Sequence, residues 1–145
     1  MSKKILIAED HEGNANTFRD FITTFFPGWI ILNAQTGRDA IDKAIAESPD
    51  IMILDIALGD QISGVRVVQE IAKAGRKIRI ILITALDNHA TDGPRRGKTW
   101  MEQFDENEKS LVAAFFQKLG PKWGDFITAI AKAAAVPVPP GVEYL

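Results

Sequence analysis

Four places in the sequence put reactive side chains directly after apolar runs. Glu9 and Asp10 follow Ile5–Ala8, Asp55 follows Ile51–Leu54, and Thr84 follows Ile80–Ile83. A fifth residue, Lys118, comes after the short apolar stretch Ala113–Phe116. Three carboxylates gathered in one crevice repel one another and raise each other's pKa unless a cation sits among them. A donor set of carboxylate oxygens, without histidine or cysteine in it, favours Mg²⁺. A carboxylate nucleophile, Mg²⁺, a hydroxyl and an ammonium are the parts needed to receive a phosphoryl group. Taken singly each residue has a plainer reading: Glu9-Asp10 as a helix cap, Thr84 as a partner for a backbone group, Lys118 as a stem lying on apolar surface. Asp50, beside Pro49, reads as a turn residue.

The elements that must position these residues alternate. Ile5–Ala8 is a short buried strand. From Asn14, the residues Ala15, Phe18, Phe21, Ile22 and Phe25 recur at helical spacing until Pro27-Gly28. Trp29–Leu32 is a second strand, and Ala40, Ile41, Ala44 and Ile45 form a second helical stripe closed by Pro49. The third strand, Ile51–Leu54, ends in Asp55. A helix over Val65–Ala74 and a strand within Arg79–Thr84 follow. Such alternation implies a parallel sheet covered on both faces by helices, with right-handed crossovers. In such sheets ligands bind beyond the carboxyl ends of the strands, where all four reactive positions fall.

After Leu86 the pattern weakens. Asp87–Lys98 has no periodicity and carries the basic cluster Arg95, Arg96 and Lys98 together with His89. A helix is expected from about Phe104 within Trp100–Ala114. Phe115-Phe116 fit either a fifth strand or the tail of that helix. Trp123–Ala135 reads as a terminal helix, and the prolines of AVPVPPGVEYL predict an extended surface tail. The expected organisation is one domain over 1–136 and a proline-rich tail over 137–145.

Composition removes several function classes. With 17 Lys+Arg against 19 Asp+Glu there is no global basic field, so direct nucleic-acid binding is not expected. The absence of cysteine excludes disulfides, thiolate metal sites and cysteine catalysis, and suits a reducing, cytoplasmic setting. No apolar stretch has the length of a membrane span, and the opening MSKKILIAED lacks the apolar core of a signal peptide.

On these residues the chain resembles the receiver domain of two-component response regulators, from Lys3 to about Ala135. ILIAED carries the acidic pair, PDIMILDI the acceptor strand, ALGDQISG the loop with a glycine opening the third helix, Thr84-Ala85 the switch hydroxyl and its small neighbour, and AAFFQKLG the lysine. The resemblance implies a flavodoxin-like, doubly wound, three-layer α/β/α fold with a five-stranded parallel sheet of order 2-1-3-4-5. It implies Asp55 as acceptor from a histidine kinase or phosphotransfer protein. Glu9, Asp10, Asp55 and the backbone carbonyl of Ala57 would hold Mg²⁺, Thr84 and Lys118 would contact the phosphoryl oxygens, and Phe115 would be the coupled aromatic. It further implies a signalling phosphoprotein rather than an enzyme. Output would pass through a homodimer or a downstream protein, since no output module follows.

Three departures accompany the resemblance. Leu119 stands where the family has a proline after a cis bond, which before a non-proline residue costs about 2.5–4 kcal/mol. Gly59 replaces a common proline, predicting a looser loop. The stretch from Thr84 to Lys118 is longer than usual, with the surplus at Leu86–Lys98, a recognition device or a tolerated loop. The alternative from another class is a receiver-like adaptor that acts only through its surface. An aspartyl hydrolase would want an acid-base aspartate where Ala57 stands, and a flavin phosphate would meet three acidic groups in EDHEGNAN.

Overall fold

Apolar runs too short and too β-branched to be helices form the centre of the molecule. The computed structural model describes residues 2–84, 101–118 and 122–145. Five strands, β1 (Lys4–Ala8), β2 (Ile30–Ala34), β3 (Ile51–Asp55), β4 (Arg79–Thr84) and β5 (Val112–Gln117), make one parallel sheet of order β2-β1-β3-β4-β5. Every residue of β3 is buried, which is why its sequence shows no alternation.

Helices α1 (Glu12–Phe25), α2 (Gly37–Glu47), α3 (Gly64–Lys73), α4 (Glu106–Lys109) and α5 (Trp123–Ala133) cover the sheet. Two apolar layers result. On one face Ala40, Ile41 and Ala44 of α2 join Val67, Val68 and Ile71 of α3 against Leu6, Met52, Leu54 and Leu82. On the other, Phe18 and Ile22 of α1 and Phe126, Ile127 and Ile130 of α5 pack on Ile5, Ile7, Ile53 and Ile81. This is the doubly wound, flavodoxin-like architecture that the alternation predicts.

The strand registers align the carboxyl ends. Ala8 lies opposite Leu54, Asp55 opposite Ile83, and Thr84 opposite Gln117, so the residues leaving β1, β3, β4 and β5 emerge at one edge.

Two expectations need correction. The helix expected from Phe104 towards Ala114 is one turn long: Asp105 and Glu108 cap it reciprocally, and Ser110 ends it. Val112–Ala114 belong instead to β5, with Val112 opposite Ile80, Ala114 opposite Ile81 and a register shift at Ala113 between them, and Phe115-Phe116 are strand. The tail is not simply extended. Ala135 takes a left-handed conformation (φ 56°) after α5, and Val136 N–H returns to the Ala131 carbonyl. Past the prolines, Gly141 (φ 92°) admits a 3₁₀ turn over Val142–Tyr144 that packs on α5 with Val142 buried.

Leu86–Lys98 with His89, Arg95, Arg96 and Lys98, and also Trp100 and the Leu119 position, lie outside the described residues.

Candidate functional site

Each reactive side chain is placed by the strand it ends. Glu9 leaves β1 with its N–H bonded to the Ala34 carbonyl of β2 (3.0 Å). Asp55 closes β3, and the next residue, Ile56, donates its N–H to the Ile83 carbonyl of β4 (3.1 Å). Lys118 follows β5 and donates its N–H to the Thr84 carbonyl (2.8 Å), tying the ends of β4 and β5 together. Glu9, Asp55 and Thr84 are all essentially buried, at 1%, 2% and 0% exposure, whereas Asp10 faces solvent.

Gly64 keeps this edge tight. Its N–H bonds to the Ile56 carbonyl (2.8 Å), and a Cβ there would lie 2.6 Å from the Asp55 carbonyl oxygen and 2.8 Å from Ile56 Cα. Only glycine lets α3 begin so close to the strand that carries Asp55. Ser63 caps the same helix through the Arg66 N–H.

Carboxylate oxygens of Glu9, Asp10 and Asp55 all lie within 4.8 Å of one another. The Lys118 ammonium reaches in between them, 2.6 Å from Glu9 Oε1 and 2.7 Å from Asp55 Oδ2. Asn14, on the first turn of α1, donates Nδ2–H to Glu9 Oε1 (2.8 Å), and the Ala57 N–H donates to Asp55 Oδ1 (3.1 Å). The remaining oxygen, Glu9 Oε2, is buried and has no hydrogen-bond partner among the described residues.

The charge balance explains the titration. Burial, followed by the hydrogen-bonded and repelling Asp55 carboxyl, pushes Glu9 up to about 8 even though Lys118 and Asn14 pull it down. Burial alone would lower Lys118. Its hydrogen bonds and attraction to Asp55 and Glu9 outweigh that effect, so its pKa is raised and it stays an ammonium.

The donor set fits a hard divalent cation such as Mg²⁺. It offers three carboxylates from two neighbouring strand ends, an orphaned buried oxygen, one solvent-facing ligand, and neither sulfur nor imidazole in the cluster. Sequence reasoning therefore located Glu9, Asp10, Asp55, Thr84 and Lys118 at one edge. It missed Asn14, for which the signal was an amide on the first turn after the acidic pair. It also missed Asp60, whose carboxylate binds the amino end of α2.

The family model for the response regulator receiver domain matches residues 5–94. The chain belongs to the response regulator receiver family. It is 32% identical over 93 residues to the polar-differentiation response regulator DivK of Brucella ovis, a match that covers 64% of this chain and 72% of that protein. Among solved structures it resembles the response regulator domain of Thermotoga maritima CheB (TM-score 0.73, 19% identity, 94% of this chain and 99% of that one). It also resembles the signal receiver domain of an HD domain-containing protein from Pseudomonas fluorescens Pf-5 (TM-score 0.75, 14% identity, 93% and 96%). Both structural likenesses concern the fold. As a receiver, the chain carries the acidic triad typical of phospho-accepting, Mg²⁺-coordinating response regulators, on a fold of non-catalytic signalling domains rather than of hydrolases. Among the described residues no helix is long and apolar enough to cross a membrane.

Proposed function

We propose that Asp55 is the acceptor carboxylate and that a histidine kinase or phosphotransfer protein is the donor. The observation that carries this reading is the Lys118 ammonium held between Glu9 and Asp55 at the carboxyl edge of the sheet. An Asp55 carboxylate oxygen attacks the phosphorus of a phosphohistidine, a P–O bond forms as the P–N bond breaks, and the imidazole leaves with a proton from water. Glu9, Asp10, Asp55 and the Ala57 carbonyl would hold Mg²⁺, which would offset charge on the transferred group. Lys118 offers donors to the new oxygens, and Thr84, at the end of the adjoining strand, presents a hydroxyl to them. The added negative charge and acceptor oxygens then redistribute β4, β5 and their connections, so output passes to a second copy or a downstream protein.

We place the receiver unit at 1–136, with 137–145 as its proline-rich tail, and the protein in the cytoplasm, where such donors work. A surface-only adaptor would need neither the interior ammonium nor the orphaned carboxylate oxygen, and both are retained. The deciding experiment is phosphorylation by acetyl phosphate or a phosphorylated donor, read by mass spectrometry. Wild type gains one phosphoryl group and folded Asp55→Asn gains none. Undiminished labelling of that variant would overturn the assignment.

A further inference from the structure

Gly59 predicts a loose loop after β3, but in the structure the neighbouring residue fastens that loop. Asp60, at the middle of that loop, reaches across to the amino end of α2. Its Oδ1 accepts from the Gly37 N–H (2.8 Å) and from the Ile62 N–H of its own loop (3.3 Å), and its Oδ2 accepts from the Arg38 N–H (3.0 Å). The backbones are close as well. A Cβ on Gly37 would lie 2.4 Å from the Ile62 carbonyl oxygen, so that position admits no side chain while the loop stays where it is.

The loop fastened in this way touches two of the three site carboxylates. At its start the Ala57 N–H holds Asp55 Oδ1. At Gly59 it runs beside Asp10, where an added Cβ would meet Asp10 Cβ and the Gln35 carbonyl oxygen, each at 3.4 Å. α2 does not need Asp60 in order to begin. Thr36 is its N-cap and accepts from the Asp39 N–H (3.1 Å). The Asp60 carboxylate adds two more acceptors at that helix end, and because it comes from the β3–α3 loop it ties the loop to the helix as well.

We propose that Asp60 is a positioning residue, a clamp between the β3–α3 loop and the start of α2 that sets Ala57 against Asp55 and Gly59 against Asp10. The inference rests on reading Glu9, Asp10 and Asp55 as the metal site. The Arg38 amide is the largest influence on Asp60. With those of Gly37 and Ile62 it holds the carboxyl below the ordinary aspartate value despite partial burial, so the clamp is ionised at neutral pH.

Two variants of the full chain separate positioning from general weakening. Asp60→Ala removes the clamp, and Thr36→Ala removes the cap of the same helix without touching the loop. Mg²⁺ affinity by calorimetry is expected to fall about tenfold in Asp60→Ala, as for other residues that orient metal ligands, to fall less in Asp60→Asn, and to stay within about twofold of wild type in Thr36→Ala. In metal-free protein, amide exchange at Ala57 should quicken in Asp60→Ala and not in Thr36→Ala. Wild-type Mg²⁺ affinity or an unchanged Ala57 amide in Asp60→Ala would overturn the proposal, as would an equal loss in Thr36→Ala. A wild type that takes up no Mg²⁺ would overturn the reading of the site itself, and the Ala57 amide would still judge the clamp.

Discussion

The Lys118 ammonium is the shared counterion of two buried carboxyls, 2.7 Å from Asp55 Oδ2 and 2.6 Å from Glu9 Oε1. It therefore bridges carboxyls from two neighbouring strand ends, β1 and β3, that repel one another whenever both are ionised. Removing one partner of such a group leaves uncompensated charge in the interior, at a cost of about 3 kcal/mol or more. Lys118→Met should lower the urea-unfolding free energy by that order in chelator and by clearly less with Mg²⁺ present. Equal losses in the two conditions would show that the lysine and the cation do not serve the same carboxylates.

The raised pKa of Glu9 gives a pH dependence of definite sign. In the unfolded chain this group loses its proton near 4.5, and in the folded, metal-free protein it keeps it to about 8. Its contribution is fully present below about pH 4.5 and is lost as pH rises through about 8. The slope within that window reaches at most about 1.4 kcal/mol per pH unit. Asp60 acts with the opposite sign but only at acid pH, since its pKa is lowered, and Lys118 titrates above the window. Urea melts in chelator from pH 5 to 9 should therefore show falling stability in wild type and a flatter profile in Glu9→Gln.

Asp10 differs from its partners in facing solvent, so its removal tests the cation without emptying the core. Asp10→Ala should weaken Mg²⁺ binding at least about tenfold by calorimetry, because three carboxylates become two. The metal-free fold should lose nothing, since one repulsive charge is gone. Equal affinity in both proteins would put the ion elsewhere.

The site was legible in the sequence wherever an apolar run stopped at a reactive residue. Burial on both faces makes each central strand, β1, β3 and β4, a continuous run, and parallel order sends every run's end to the same edge. The Asp60 clamp was not legible, because it joins loops from two separate crossovers and neither period nor composition marks such a meeting. α4 misled through alanine. Ala113 and Ala114 favour helix locally, but Val112 and Ala114 pair with β4, which draws the stretch into β5 with Ala113 at a register shift, and tertiary pairing outweighs propensity. In the tail the prolines rightly excluded helix, yet they hid one apolar residue, Val142, whose burial bends the chain back onto α5.

That return of the tail can be tested through Gly124, the second residue of α5. A Cβ there would lie 2.6 Å from the Val142 carbonyl oxygen, a backbone atom that cannot swing aside as a side-chain end would. Glycine inside a helix is otherwise unfavourable, and alanine in its place stabilises by up to about 1 kcal/mol, less near a terminus. The two effects oppose each other, and which wins depends on whether the tail is docked. In the full chain Gly124→Ala should destabilise by about 1–2 kcal/mol, the usual cost of forcing atoms into a filled space. In a chain ending after Val136 the obstacle is gone, and the same substitution should be neutral or stabilising. Thermal and urea unfolding of the four proteins completes a double-mutant cycle whose coupling reports the contact. A coupling near zero would mean that the Val142–Tyr144 turn does not rest on α5 in solution.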